Sequence, residues 1–78
     1  MTENNLELVK ALINTKDLLE IANKNFELSG NTELSDYYSY EIKALKTKHD
    51  YLLKQVKKAG ITLDIVKRMN LKYNNVGA

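Results

Sequence analysis

Two long stretches of the sequence repeat residues on one helical face at alternating spacings of four and three. The positions are Leu8, Leu12, Thr15, Leu19, Ala22, Phe26 and Ser29 in the first stretch, and Tyr38, Ile42, Leu45, His49, Leu52, Val56 and Ala59 in the second. This spacing is typical of an α-helix that packs along a nearly parallel neighbour. It predicts two long helices, at about residues 5–29 and 33–59.

Glycine ends each of these stretches, and the chain contains no proline. Gly30 and Gly60 stand where a residue in the left-handed conformation commonly follows a helix. Ile61, directly after Gly60, is an apolar residue of the kind that folds back on the last helical turn. Because the link at residues 30–32 is short, we expect the two helices to run antiparallel as a hairpin.

Polar residues before each apolar pattern predict where the helices begin. We expect Asn4 to cap the first helix, paired with Glu7, and Thr32 to cap the second. Thr62 is a candidate cap for a third, shorter helix at about residues 63–73. The apolar face of that helix consists of Ile65, Val66, Met69 and Tyr73.

The length of 78 residues corresponds to a single domain, 1–78, and the helical spacings make it all-α. Residues 74–78 are expected to fray. A chain of this size buries only about 60% of its unfolded surface, so its core is thin. The absence of cysteine excludes disulfides and thiolate metal sites. No apolar run exceeds three residues, so we expect neither a secretory signal nor a membrane span, and a cytoplasmic setting is the default.

Charge is unevenly distributed along the chain, although the net charge is only +2. Residues 1–41 carry three lysines and eight acids, which gives −5, and residues 42–78 carry nine bases and two acids, which gives +7. In an antiparallel hairpin, Glu7 would lie near the lysines at 54–58, and Asp17 and Glu20 near Lys43 and Lys46. Alternatively, the basic end is a surface for phosphates or an acidic partner, formed by Lys54, Lys57, Lys58, Lys67, Arg68 and Lys72.

His49 is the one imidazole in the chain, and it lies on the predicted helix–helix face. A metal site would need a second ligand three or four residues away, but those positions hold Leu45, Lys46, Leu52 and Leu53. We therefore expect no metal and no catalytic residue here. We interpret His49 as structural, with Thr15 as a candidate hydrogen-bond partner.

Tyrosine is concentrated on the second predicted helix, beside the face that the hairpin would bury. Tyr37, Tyr40, Ala44 and Tyr51 follow one stripe along this helix. The apolar surface is then wider than one helix contact needs. Three interpretations stay open: coverage by the same chain, a homodimer interface, or stacking of single-stranded bases on the rings.

Two segments resemble the YaaL-like family of short helical bacterial proteins, a domain of unknown function. They are LSDYYSYEIKA at residues 34–44 and YLLKQVKKAGI at 51–61, and with the preceding helix the resemblance covers about residues 8–61. The resemblance implies a cytoplasmic protein of Gram-positive, often spore-forming hosts, with no assigned activity. The family's gene neighbourhood, beside a recombination mediator and a sporulation checkpoint, gives slight support to nucleic-acid binding. The chain departs from the family at Asn31-Thr32, where Asp-Pro is usual, and in the tail at 62–78.

The predicted fold is a hairpin of two long helices with a short third helix, and we expect dimerisation to complete a bundle in a four-helix arrangement. The sequence therefore predicts a non-enzymatic interaction module without cofactors, which pairs with itself or with another protein. Tyr37, Tyr40 and Tyr51 are the candidate contact residues. The alternative is a small accessory DNA- or RNA-binding protein that uses the basic carboxy-terminal end.

Overall fold

Three helices form the chain in a computed structural model, which describes the backbone of residues 2–74 and the side chains of residues 2–71. They are α1 (Glu3–Leu28), α2 (Thr32–Lys58) and α3 (Leu63–Asn74). The first two pack along one another as the predicted hairpin, and α3 packs on α1. The predicted boundaries are confirmed to within two residues. Of the tail expected to fray, Asn74 is the last residue of α3, and 75–78 lie outside the described residues.

The caps of the two long helices differ from the predicted ones by one or two residues. Thr2, and not Asn4, caps α1, because its hydroxyl accepts a hydrogen bond from the Asn5 amide at 3.1 Å. Asn31, and not Thr32, caps α2, because its side-chain oxygen accepts a hydrogen bond from an amide at 2.8 Å. In both places the preferred cap is the polar residue that the chain holds in extended backbone just before the helix.

The two glycines behave differently at the helix ends. Gly60 has a φ of +76°, and the Ile61 amide donates to the Val56 carbonyl at 3.2 Å, which is the predicted left-handed helix ending. Ile61 is buried beside Val56 as expected. The prediction for Gly30 is wrong, since its φ is not positive. There the Ser29 hydroxyl donates to the Phe26 carbonyl at 2.7 Å and so occupies one of the free carbonyls at the end of α1.

The core lies at the open end of the hairpin, where α3 returns to it. Its buried residues are Val9, Leu12, Ile13, Leu52, Val56 and Ile61. Ile65, Val66 and Met69 pack against this cluster, as predicted for the apolar face of α3. The side chain of Tyr73, the fourth residue predicted for that face, falls outside the described side chains. Toward the turn, Ala22 is the one buried residue between positions 16 and 51.

The expected ion pairs across the hairpin do not form among the described side chains. Glu7 instead lies 3.9 Å from Lys10 on its own helix. Exposed pairs of this kind contribute at most about 1 kcal/mol, so they do not hold long side chains in one geometry. Apart from the partly buried Asp17, the acids of α1 and the lysines of α2 are exposed. Within the described range, no helix has the length and apolar character needed to cross a membrane.

Candidate interaction surface

The tyrosine stripe, defined as Tyr37, Tyr40 and Tyr51, lies on a face of α2 that the described part of the chain leaves open. The exposed fractions of these residues are 56%, 74% and 60%. Ala44, on the same stripe, is also exposed. Because α3 packs on α1, it does not cover this face. Within the described residues, the same chain therefore does not cover the stripe.

Local contacts orient the first tyrosine of the stripe. The Tyr37 hydroxyl donates a hydrogen bond to Glu41 Oε2 at 3.2 Å, one helical turn further along. Its ring meets that of Tyr38 edge to face, with centroids 5.1 Å apart and planes at 75°. The hydrogen bond to Glu41, and then the charge of that carboxylate, raises the pKa of Tyr37. Tyr37 is therefore held as a neutral, oriented ring at the surface.

A shallow groove adjoins the stripe between α1 and α2 and has a volume of about 360 Å³. Leu18 and Ile21 of α1 form one wall, and Tyr37, Tyr38 and Leu45 of α2 form the other. Leu18 and Ile21 are 42% and 54% exposed. The sequence-based prediction did not include Leu18 and Ile21 among the interaction residues, because they lie beside the four–three series of α1 and not on it. The sequence feature that could have indicated them is a pair of apolar residues, three apart, outside the face predicted to be buried.

Exposed apolar side chains are concentrated in the half of the hairpin nearest the turn. Ten large apolar residues are exposed among those described, and seven of them lie between positions 18 and 40. Those seven are Leu18, Ile21, Phe26, Leu28, Leu34, Tyr37 and Tyr40. Of these seven, Leu18, Ile21 and Tyr37 line the groove between α1 and α2.

The predicted basic residues are exposed, but they belong to two separate elements. Lys54, Lys57 and Lys58 end α2, and Lys67 and Arg68 lie on α3. No ion pair joins any of these five to another described side chain. Lys72, the sixth predicted member, is outside the described side chains.

His49 is about three-quarters buried, with a side-chain exposure of 26%. Its Nδ1 lies 3.8 Å from the Asp50 carboxylate, which is exposed. Thr15, the partner suggested from the sequence, instead donates to the Ala11 carbonyl at 2.7 Å. Among the described residues, no group of three or more His, Asp or Glu side chains is placed to hold a metal ion.

Comparison with known proteins shows the family of the chain. No curated protein and no solved structure matches the chain. A family model described as a protein of unknown function (DUF2508) matches residues 1–63, which comprise α1, α2, the turn at Gly60 and the first residue of α3. Since this match covers most of the 78 residues, the chain belongs to the DUF2508 family.

Proposed function

We propose that the protein is a non-enzymatic cytoplasmic interaction module that pairs with a second copy of itself through the tyrosine stripe. The exposure of the stripe on a helix face that α3 leaves open is the observation that carries this proposal. Tyrosine combines a large apolar ring with a hydroxyl group that remains satisfied by water. It is accordingly enriched in protein interfaces.

The exposed area of the chain supports the proposal that a second copy covers part of its surface. A compact protein of this mass exposes about 4,900 Å². This chain exposes 5949 Å², because it measures 45 × 30 × 17 Å and is less than two helix diameters thick along its shortest axis. The excess of about 1,000 Å² is similar to the roughly 800 Å² that each partner contributes to a stable interface. One interface with a second copy would therefore bring the exposed area of each chain to the ordinary range.

The positions on the stripe suit a twofold arrangement of two α2 helices. Ala44 lies midway between Tyr37 and Tyr51, seven residues from each. Seven residues are about two helical turns, so all three face the same way. When two copies of α2 cross antiparallel with Ala44 at the axis, Tyr37 of each chain faces Tyr51 of the other. The small side chain of Ala44 lets the two helices approach closely at that point.

Charge favours the antiparallel direction over the parallel one. The first turns of α2 carry Glu33 and Asp36, and its last turns carry Lys54, Lys57 and Lys58. An antiparallel pair brings the acidic end of each helix to the basic end of the other, whereas a parallel pair brings like charges together. Since none of these side chains forms an ion pair with another described side chain, all are available to a second copy.

Single-cysteine variants test this arrangement directly, because the chain contains no cysteine. We expect Ala44→Cys to oxidise readily to a covalent dimer, since the two thiols meet at the twofold axis. Ser39→Cys is the matched control, as this exposed residue lies about 140° around α2 from Ala44. Equal cross-linking of the two variants would contradict the arrangement.

The oligomeric state tests self-association itself. Light scattering across a concentration series should give a dimer for the unmodified chain and a monomer for Ala44→Glu, which places two carboxylates at the axis. Circular dichroism of Ala44→Glu should retain the helical signal, so that loss of the dimer is separated from unfolding. A folded monomer at every concentration of the unmodified chain would end the proposal.

Nucleic-acid binding is the second candidate, and it depends on the exposed bases that have no ion pair among the described side chains. Fluorescence anisotropy with single- and double-stranded probes should then show affinity that falls steeply with salt. Affinity should also fall when Lys57 and Lys58 are changed to Glu, while Lys16→Glu on α1 serves as the control. Absence of binding at low salt would exclude this candidate.

Two further parts of the proposal depend on the sequence. Within the DUF2508 family we assign the chain to the YaaL-like proteins, on the segments at residues 34–44 and 51–61. The non-enzymatic assignment is tested at His49, the one imidazole of the chain. A His49→Ala variant that folds should support the same growth as the unmodified protein in its host. A growth defect with normal folding and assembly would reopen a catalytic role.

A further inference from the structure

A cavity of about 320 Å³ lies where the three helices meet, away from the tyrosine stripe. On α2 it is lined by His49 and Leu53, which lie about 140° and 180° around the helix from Ala44. Self-association through the stripe would therefore leave the cavity accessible. The proposed self-association uses none of the residues that line this cavity.

The floor of the cavity is apolar. Leu12 and Ile13 of α1, Leu53 of α2, and Leu63 and Val66 of α3 line it. Leu12 and Ile13 belong to the buried core, so the cavity opens directly onto the best-packed part of the molecule. A site of this size and lining is in the range of cavities that bind small molecules.

Basic side chains surround the apolar floor. Lys16 and Lys67 come from α1 and α3, and His49 comes from α2. Neither lysine forms an ion pair with another described side chain. Among the described residues, no carboxylate lines the cavity. Two cations beside an apolar floor match a ligand that carries a negative group at one end of an apolar chain.

We infer that this cavity binds a free carboxylic acid with an unbranched alkyl chain, of the medium-chain fatty-acid class. The carboxylate lies between Lys16 and Lys67, and the alkyl chain contacts Leu12, Ile13 and Val66. At about 30 Å³ for each water-sized group, the volume accommodates roughly ten non-hydrogen atoms. With its two carboxylate oxygens, an acid of eight carbons fills this volume, and one of ten carbons exceeds it by about two atoms, which the open side of the cavity accommodates.

Amide NMR titration with decanoate tests the inference, with 1-decanol and decylamine as neutral and cationic probes of equal length. Decanoate should shift amides at 12–16, 49–53 and 63–70. The double variant Lys16→Gln, Lys67→Gln should weaken decanoate binding by about tenfold or more and leave 1-decanol binding unchanged. Lys43→Gln, an exposed α2 lysine outside the cavity, is the matched control and should bind decanoate normally.

Several results would overturn the inference. Equal affinity for decanoate and 1-decanol would remove the role of the lysines, and tighter binding of decylamine would reverse it. Decanoate shifts confined to the tyrosine stripe would place the ligand on the interaction surface. No decanoate shifts, together with sedimentation of the protein on vesicles of anionic phospholipid, would replace the cavity with a membrane surface. No response to any probe would leave the cavity without a ligand of this class.

Discussion

Gly60→Ala is expected to destabilise the fold, although the added methyl group has space. A Cβ built at Gly60 meets no atom within 4 Å, so no steric clash contributes. The cost comes from the backbone, because φ is +76° and residues with a Cβ rarely adopt that conformation. The Gly60 amide donates to Lys57 and the Ile61 amide to Val56, which fixes this conformation at the end of α2.

The expected magnitude follows from the left-handed conformation alone. Placing an L-residue there costs about 1–2 kcal/mol. For a domain of this size, each kcal/mol lowers the melting temperature by about 4–8 °C. Gly60→Ala should therefore melt roughly 4–16 °C below the unmodified chain. Gly60→Asn should fall between the two, because asparagine tolerates the left-handed region better than alanine.

Gly30 provides the matched control for this experiment. A Cβ there also meets no atom within 4 Å, but the φ of Gly30 is not positive. Gly30→Ala should thus stabilise the fold by about 0.4–1 kcal/mol, since alanine restricts the unfolded chain without straining the folded one. Urea and thermal unfolding, followed by circular dichroism at one protein concentration, measure both variants, because association shifts apparent stability.

The opposite signs of the two glycine substitutions are the decisive result. If Gly60→Ala is neutral or stabilising, the left-handed ending of α2 does not exist in solution. If both variants lose stability equally, glycine at either position is needed for a reason other than φ. An unchanged urea slope is also required, since a changed slope would indicate a different denatured state.

Three other substitutions give separate tests. Asn31→Ala should lower the free energy of unfolding by about 1 kcal/mol through loss of the α2 cap. Thr32→Ala should change it by less than about 0.5 kcal/mol. If urea unfolding shows the larger loss for Thr32→Ala, Thr32 and not Asn31 is the cap. Val56→Ala, at a fully buried position, should lower the free energy of unfolding by about 2 kcal/mol in the same measurement. A loss under about 0.5 kcal/mol would mean that the core around Val56 is not tightly packed. Glu41→Gln should lower the pKa of Tyr37 toward its ordinary value, as read by NMR of ¹³C-labelled tyrosine. Because the native pKa of Tyr37 is raised, its hydrogen bond contributes below the unfolded pKa and is lost as pH rises through the native pKa; an identical titration in Glu41→Gln would contradict this coupling.

Features that depend on neighbours along the chain could be predicted from the sequence. The four–three spacing was sufficient for both long helices, because a helix brings such positions onto one face whatever it packs against. The pair Gly60-Ile61 predicted its turn, since the conformation and the apolar fold-back both depend on local geometry.

Features that depend on where α3 returns could not be predicted. Val9 and Ile13 are buried although they lie off the repeating face of α1, because α3 packs there. Their burial required knowledge of which long helix α3 contacts, which no local pattern contains. The cavity beside Lys16 and Lys67 depends on the same contact. Glu7 shows a second limit, because it pairs with Lys10 on its own helix and not with the lysines of α2. Proximity in a hairpin does not fix long exposed side chains.

We expect the position of the core at the open end of the hairpin to set the order in which the chain folds. Val9, Leu12 and Ile13 meet Leu52, Val56 and Ile61 across about 40 to 50 residues of sequence. Closing a loop of 40 residues costs about 3 kcal/mol of chain entropy, by (3/2)RT ln n. The residues near the turn bury too little surface to offset that cost if the hairpin closes one helical turn at a time from there. We therefore expect the two chain ends to meet in the rate-limiting step, with the hairpin completed afterwards. In stopped-flow experiments, Val56→Ala should then slow folding, whereas Phe26→Ala, near the turn, should mainly speed unfolding. If Phe26→Ala slows folding and Val56→Ala mainly speeds unfolding, the hairpin closes from its turn.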